Sequence, residues 1–123
     1  MEKKTLPLVY ACSGCSSVAQ LANDTALELN ARNVAQMSCI SGVGGHVKPL
    51  VKLAQSGRPI IALDGCELKC ALHCLQSVGT KPDFHYVLTD EGFKKRRYVG
   101  SSKENIDSLC QLVSDDLQKA GKS

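Results

Sequence analysis

Pro59-Ile60-Ile61-Ala62-Leu63-Asp64-Gly65-Cys66 is the stretch on which the fold turns. An unbroken apolar, β-favouring run of strand length stops at Asp64 and leads through Gly65 and Cys66 into a helical pattern. Three further runs of the same kind occur at residues 6–11, 34–40 and 84–88. Helical periodicity fills the intervals. Residues 17–32 place Val18, Leu21, Ala22, Thr25 and Leu29 on one face, and residues 47–56 repeat the pattern with Leu50, Val51 and Ala54 before Gly57. Residues 67–78 form a third helical pattern closed by Gly79, and residues 103–119 carry Ile106, Leu109, Val113 and Leu117 on a fourth.

Strict βαβαβαβα alternation with short connections requires right-handed crossovers, which lay helices on both faces of a mainly parallel sheet. The expectation is an α/β, three-layer Rossmann-like or flavodoxin-like domain with a mainly parallel four-stranded sheet in the order 2-1-3-4. In that order the topological switch falls between the first and third strands, and ligands of such sheets bind beyond the strands' carboxyl ends. No internal repeat and no linker rich in Pro, Gly or Ser divides the chain, so residues 1–123 read as one domain.

The bulk composition fits this reading. A chain of 123 residues buries roughly two thirds of the surface its unfolded form exposes, enough to fold without a metal or disulfide staple. Hydrophobic residues at 43% and charged residues at 22% are ordinary globular values, which exclude a disordered chain. The amino terminus carries no apolar h-region with a small-residue cleavage site, and no apolar stretch reaches spanning length, so a cytoplasmic location and no membrane partner are expected. The net charge of +3 is small, and the basic run at residues 94–97 has few aromatics for base stacking. No nucleic-acid partner is expected, and that run reads as a solvated loop or an exposed edge strand.

Seven cysteines are the exceptional feature. In a reducing compartment they stay thiols, and an odd number prevents a complete disulfide set. The first strand ends in Ala11-Cys12-Ser13-Gly14-Cys15, the second in Ser38-Cys39, and the third in Asp64-Gly65-Cys66 with Cys70 and Cys74 following. Six of the seven therefore fall at or beyond strand carboxyl ends, where the topology brings distant loops to one crevice. With a helix starting at Cys66, Cys66 and Cys70 are one turn apart, about 6 Å along the axis, and can close on one ion. Cys74 would then lie about 12 Å of rise from Cys66, which weakens it as a ligand. Leu68, Ala71, Leu72, Leu75 and Val78 make the apolar stripe of that helix, and Cys66 and Cys70 project to its side, unlike thiols that serve as small hydrophobes. Cys110 shares a face with Ile106, Leu109 and Val113 and reads as core. The Cys12 to Cys15 CxxC has two readings: a metal knuckle, or a redox pair at a helix N-terminus whose dipole lowers a thiol pKa.

Other residues give weaker signals. Ser41-Gly42-Val43-Gly44-Gly45 follows a strand as an anion-binding loop would, yet lacks a P-loop ending and the third dinucleotide-fingerprint glycine. Its glycines read as allowing a sharp turn and close approach to the cysteine loops. Asp64 reads as accepting hydrogen bonds from loop amides or orienting a ligand. His46, His73 and His85 lack partners at histidine-site spacing and read as surface or strand-packing residues.

Together these residues resemble the DGC domain family, named for its Asp-Gly-Cys motif. The resemblance is carried by Tyr10-Ala11-Cys12-Ser13-Gly14, Gln20-Leu21-Ala22-Asn23, Met37-Ser38-Cys39-Ile40-Ser41-Gly42-Val43-Gly44-Gly45, Ile60 through Cys66 and Leu68-Lys69-Cys70-Ala71. It spans most of the chain and implies zinc binding through four cysteines, which map onto Cys12, Cys39, Cys66 and Cys70. Cys15 and Cys74 stand as additions, and Glu67 occupies a position where the family often has proline. The resemblance implies no defined activity. The expectation is a zinc-binding thiolate protein concerned with metal sensing or handling. The alternative is an enzyme, a thiol oxidoreductase or sulfurtransferase using Cys12 and Cys15, and a third reading is an iron–sulfur protein.

Overall fold

The computed structural model describes residues 5–95 and 101–121. Its element order is β1 (Leu8–Ala11), α1 (Ser17–Ala31), β2 (Gln36–Met37), α2 (Ile40–Gly44), α3 (Lys48–Ala54), β3 (Ile60–Asp64), α4 (Cys70–Ser77), β4 (Phe84–Val87) and α5 (Lys103–Lys119). The four strands form one sheet in the order β2-β1-β3-β4, and every pair is parallel. Ala11 faces Leu63 in register and Asp64 faces Val87, so the strands reach their carboxyl ends together at one edge.

The layers follow from strand alternation. Val9, Ala11, Ile61 and Leu63 point to one face, where they pack with Val18, Leu21, Ala22, Ala26 and Leu29 of α1 and Leu109, Val113 and Leu117 of α5. Leu8, Tyr10, Ile60 and Ala62 point to the other, against Val43 of α2, Ala54 of α3 and Leu75 of α4. Both central strands are buried on both faces, which is why they read as continuous apolar runs. The three-layer α/β architecture and the 2-1-3-4 order are as the sequence implied.

Three elements depart from expectation. The second strand shrinks to Gln36–Met37, because β2 is an edge and the outward Met37 amide is taken by Oδ1 of Asn30 at 2.9 Å instead of a neighbouring strand. The glycine-rich segment forms α2 rather than a loop. Gly42 lies where a Cβ would meet Leu50 Cδ1, and Gly44 where one would lie 2.9 Å from Cys74 Sγ, so close packing against α3 and α4 overrides poor helix propensity. Thirdly, α4 begins at Cys70 and not near Glu67. Residues 66–69 make a turn closed by the Lys69 amide on the Cys66 carbonyl at 3.1 Å, and Lys69 then sits in the left-handed region with φ 53°.

Of the basic run, Lys94 and Lys95 are exposed and outside any strand, while Arg96 and Arg97 lie outside the described residues. Among the described residues, no helix is long and apolar enough to cross a membrane.

Candidate functional site

The common carboxyl edge of β1, β2 and β3 places a cysteine just past each strand: Cys12 after Ala11, Cys39 beyond Met37 and Cys66 beyond Asp64. Cys70 is the first residue of α4. Cys12 is half-buried, and its Sγ accepts the Gly65 amide at 3.0 Å. Burial pushes the Cys12 thiol up to about 11; the Gly65 hydrogen bond opposes this, and the negative charges of Asp64, Cys70 and Cys66 add to it. Cys12 therefore lies within electrostatic range of both Cys66 and Cys70 at the switch between β1 and β3.

Each residue of Asp64-Gly65-Cys66 has its own physical role. Asp64 is fully buried, and its carboxylate accepts the amides of Ala71 at 2.7 Å and Leu72 at 3.2 Å. These are the second and third residues of α4, whose own N-cap Lys69 gives no side-chain cap, so Asp64 caps the helix from the preceding strand. His85 on β4 places Nε2 2.7 Å from the same carboxylate, which makes this histidine a partner of Asp64. Gly65 is required by space, since a Cβ there would lie 2.8 Å from the Val18 carbonyl carbon and 2.9 Å from the Ala19 nitrogen. Only glycine lets the backbone after β3 pass this close to the first turn of α1. Cys66, half-buried against the α1 side of the core, follows at the crevice.

Because α4 starts at Cys70, Cys66 and Cys70 are not related by a helical turn; a turn of different geometry joins them. The thiols one helical turn apart are Cys70 and Cys74, and the charge of Cys70 adds to the burial that raises the Cys74 thiol. Cys74 nevertheless packs against the second core layer beneath Gly44, which gives it a packing role. Cys110 is core, 1% exposed, as its periodicity implied. Cys15 is exposed. Cys39 stands exposed at the start of α2, with Sγ 3.1 Å from Ser41 Oγ, and its thiol is lowered by that hydroxyl and by the Gly42 and Ser41 amides. His46 contacts Ser77 Oγ at 3.3 Å and His73 is exposed, both surface positions.

One participant was not legible as such. Lys95 Nζ lies 3.6 Å from Cys66 Sγ, and the Lys94 carbonyl accepts the Ser17 hydroxyl at 3.1 Å. Its sequence signal is position: the basic run lies beyond the carboxyl end of β4, the same edge as the thiols. Two clefts of about 510 and 320 Å³ lie elsewhere, one around Arg58, Lys81 and Asp83 and the other around His46, Lys52 and Ser77; neither is lined by cysteine.

The donor chemistry fits a thiophilic ion. Soft sulfur ligands select zinc, copper(I) or iron–sulfur clusters, and an amide hydrogen bond to a ligand sulfur, as on Cys12, is a common support for bound thiolate. The side chains are not closed around a point: among the described residues no three His, Cys, Asp or Glu side chains stand where they could hold one ion. Cys39 and Cys70 are exposed, so rotation of their side chains does not disturb the core.

The model of the DGC domain matches residues 8–113, from the first strand to within the last helix. This chain belongs to the DGC domain family. A relative within reach is the anaerobic and virulence modulator AnvM of Pseudomonas aeruginosa, 60% identical over 117 residues that cover 95% of this chain and 89% of that protein. No solved structure matches. The motif that names the DGC family is thus the turn between β3 and α4, where one residue caps a helix, one admits a neighbouring helix and one delivers a thiol.

Proposed function

We propose that this DGC domain protein is a cysteine-based regulatory protein that binds one zinc ion at the carboxyl edge of its sheet, through Cys12, Cys39, Cys66 and Cys70. The observation that carries the reading is the meeting of two segments at the carboxyl edge of the sheet: the Gly65 amide next to Cys66 donates to Cys12 Sγ at 3.0 Å, and Cys12 lies within electrostatic range of both Cys66 and Cys70. Cys39, exposed on the adjoining loop, supplies the fourth donor. Zinc, when bound, supplies a redox-inert cross-link among these loops. The chain's own contribution is to hold Cys12 with the Gly65 amide, to fix the start of α4 and hence Cys70 through Asp64, and to present Cys39 at an exposed position where the Ser41 hydroxyl favours its thiolate. A tie that joins or releases surface loops suits sensing, and the relative's name, a modulator, supports a regulatory role over a metabolic one.

The alternative, thiol chemistry at Cys12 and Cys15, receives less support. Burial keeps the Cys12 thiol protonated at neutral pH, which makes it a weak nucleophile in the metal-free protein. Elemental mass spectrometry on untagged, anaerobically purified protein tests the proposal. About one zinc per chain is expected in wild type, and little in the double variant Cys66→Ala, Cys70→Ala. Iron with brown colour would replace zinc by a cluster, and a metal-free wild type would refute the metal site altogether.

A further inference from the structure

A ring of four thiolates around a divalent ion carries a net charge near −2, which a half-buried crevice must offset. Hydrogen-bonding amides do part of this, and the Gly65 amide already points at Cys12. Asp64 works in the opposite direction, because its carboxylate adds negative charge at Cys12 and occupies the Ala71 and Leu72 amides of α4. Those two amides at the N-terminus of α4 are therefore not available to the thiols. A compensating cation has to come from elsewhere.

It comes from the segment after β4. The Phe93 amide donates to the Leu88 carbonyl at 3.1 Å, and its half-buried ring packs against the core layer that holds Cys12 and Cys66. Lys94 is tied at its carbonyl to the Ser17 hydroxyl, at the start of α1. These two anchors hold the chain beside the thiols and bring Lys95 Nζ to 3.6 Å from Cys66 Sγ. Lysine is suited to this place, being a compact charge on a stem long enough to reach a sulfur from the surface.

We infer that Lys95 is a positioning residue of the thiol site: its ammonium, held over Cys66 by the Phe93 and Lys94 anchors, offsets the negative charge of the metal-loaded thiolates and so sets how tightly the site holds zinc. This rests on the zinc reading above. It also identifies a point of control, since neutralising one lysine on an exposed segment would loosen the metal without touching a ligand.

The test is zinc affinity by competition with a chromophoric chelator, for wild type, Lys95→Met and Lys95→Arg, at low salt and at about 1 M salt. Lys95 is exposed, so the variants keep the fold. Lys95→Met is expected to bind the same amount of zinc with a Kd roughly three- to tenfold higher at low salt. The gap should close at high salt, and Lys95→Arg should restore most of the affinity. Equal affinities at low salt, or a weakening that salt leaves unchanged, would overturn the role of Lys95 while leaving the zinc site intact. A wild-type chain that takes up no zinc overturns the site itself, and this inference with it.

Discussion

Asp64, at the end of β3, accepts the amide of Ala71 at 2.7 Å, although the helix that contains Ala71 starts six residues further along the chain. The bond makes the helix start a tertiary event: α4 is capped by the strand before it, across the Gly65-Cys66 turn. Removing the carboxylate by Asp64→Ala strands one buried amide, one half-buried amide and the ring of His85, and should cost about 3 kcal/mol in urea unfolding. Asp64→Asn keeps one acceptor oxygen and should cost about half as much. A loss below about 0.5 kcal/mol for the alanine variant would show that the cap contributes nothing.

Gly65 tests the neighbouring constraint. A Cβ at 2.8 Å from the Val18 carbonyl carbon meets backbone, which cannot rotate away, so Gly65→Ala must push α1 from the sheet edge. A destabilisation of about 2–3 kcal/mol is expected, together with loss of the Gly65 to Cys12 hydrogen bond. The amide shift of Gly65 in a nitrogen–proton correlation spectrum before and after Cys12→Ala reports that bond directly; an unmoved resonance would count against it.

The apolar runs and their alternation with helical periodicity were enough to give the sheet and its strand order, because β1 and β3 are buried on both faces and crossover handedness leaves few topologies. Cys12 and Cys66 were legible for the same reason, since the switch point joins the loops that carry them. What the sequence concealed were features decided by contacts distant along the chain. The α4 start depends on Asp64 and on a left-handed Lys69, which no local N-cap signal announces. The α2 helix has two glycines among its five residues and a third as its C-cap, and forms because Gly42 and Gly44 fit against Leu50 and Cys74. Lys95 looked like one charge of a solvated run until the Phe93 and Lys94 anchors placed it beside Cys66.

The fit of Gly44 against Cys74 gives a sign-changing test. Alanine favours a helix over glycine by about 1 kcal/mol, but a Cβ at residue 44 would lie 2.9 Å from Cys74 Sγ. Gly44→Ala alone should therefore destabilise by about 1 kcal/mol. In a Cys74→Ala background, where the sulfur is gone, the same change should become neutral or stabilising. Thermal unfolding of the four proteins closes the cycle, and purely additive effects would mean that the two residues are not coupled.

Cys110 should make the fold sensitive to alkali. Burial pushes its thiol from an ordinary 9.0 up to about 11 in the folded chain, with the charges of Glu28 and Asp107 adding and Arg32 opposing. The folded state thus holds the proton more tightly than the unfolded state. Its contribution is complete below pH 9 and is lost as pH rises through 11. Two pKa units correspond to about 3 kcal/mol across that window. Denaturant midpoints measured from pH 8 to pH 11 should fall more steeply for wild type than for Cys110→Ala, and parallel curves would remove Cys110 as a cause.

Thiol reactivity in metal-stripped protein should follow the same physics. The thiolate is the reacting form, so exposure and a lowered pKa both speed alkylation. Cys39 has both: it is exposed, and the Ser41 hydroxyl and the Ser41 and Gly42 amides lower its thiol. Cys12 is slowed by burial and Cys110 is sealed in the core, so these two should be labelled last, Cys110 only on unfolding. Timed iodoacetamide labelling read by peptide mass spectrometry at neutral pH gives the order. Ser41→Ala should slow Cys39 roughly two- to fivefold, the effect of one hydrogen bond to the thiolate, while leaving the exposed Cys15 unchanged. If Cys39 reacts no faster than Cys15, its hydrogen bonds do not activate it, and its suitability as the readily deprotonated fourth donor loses its chemical basis.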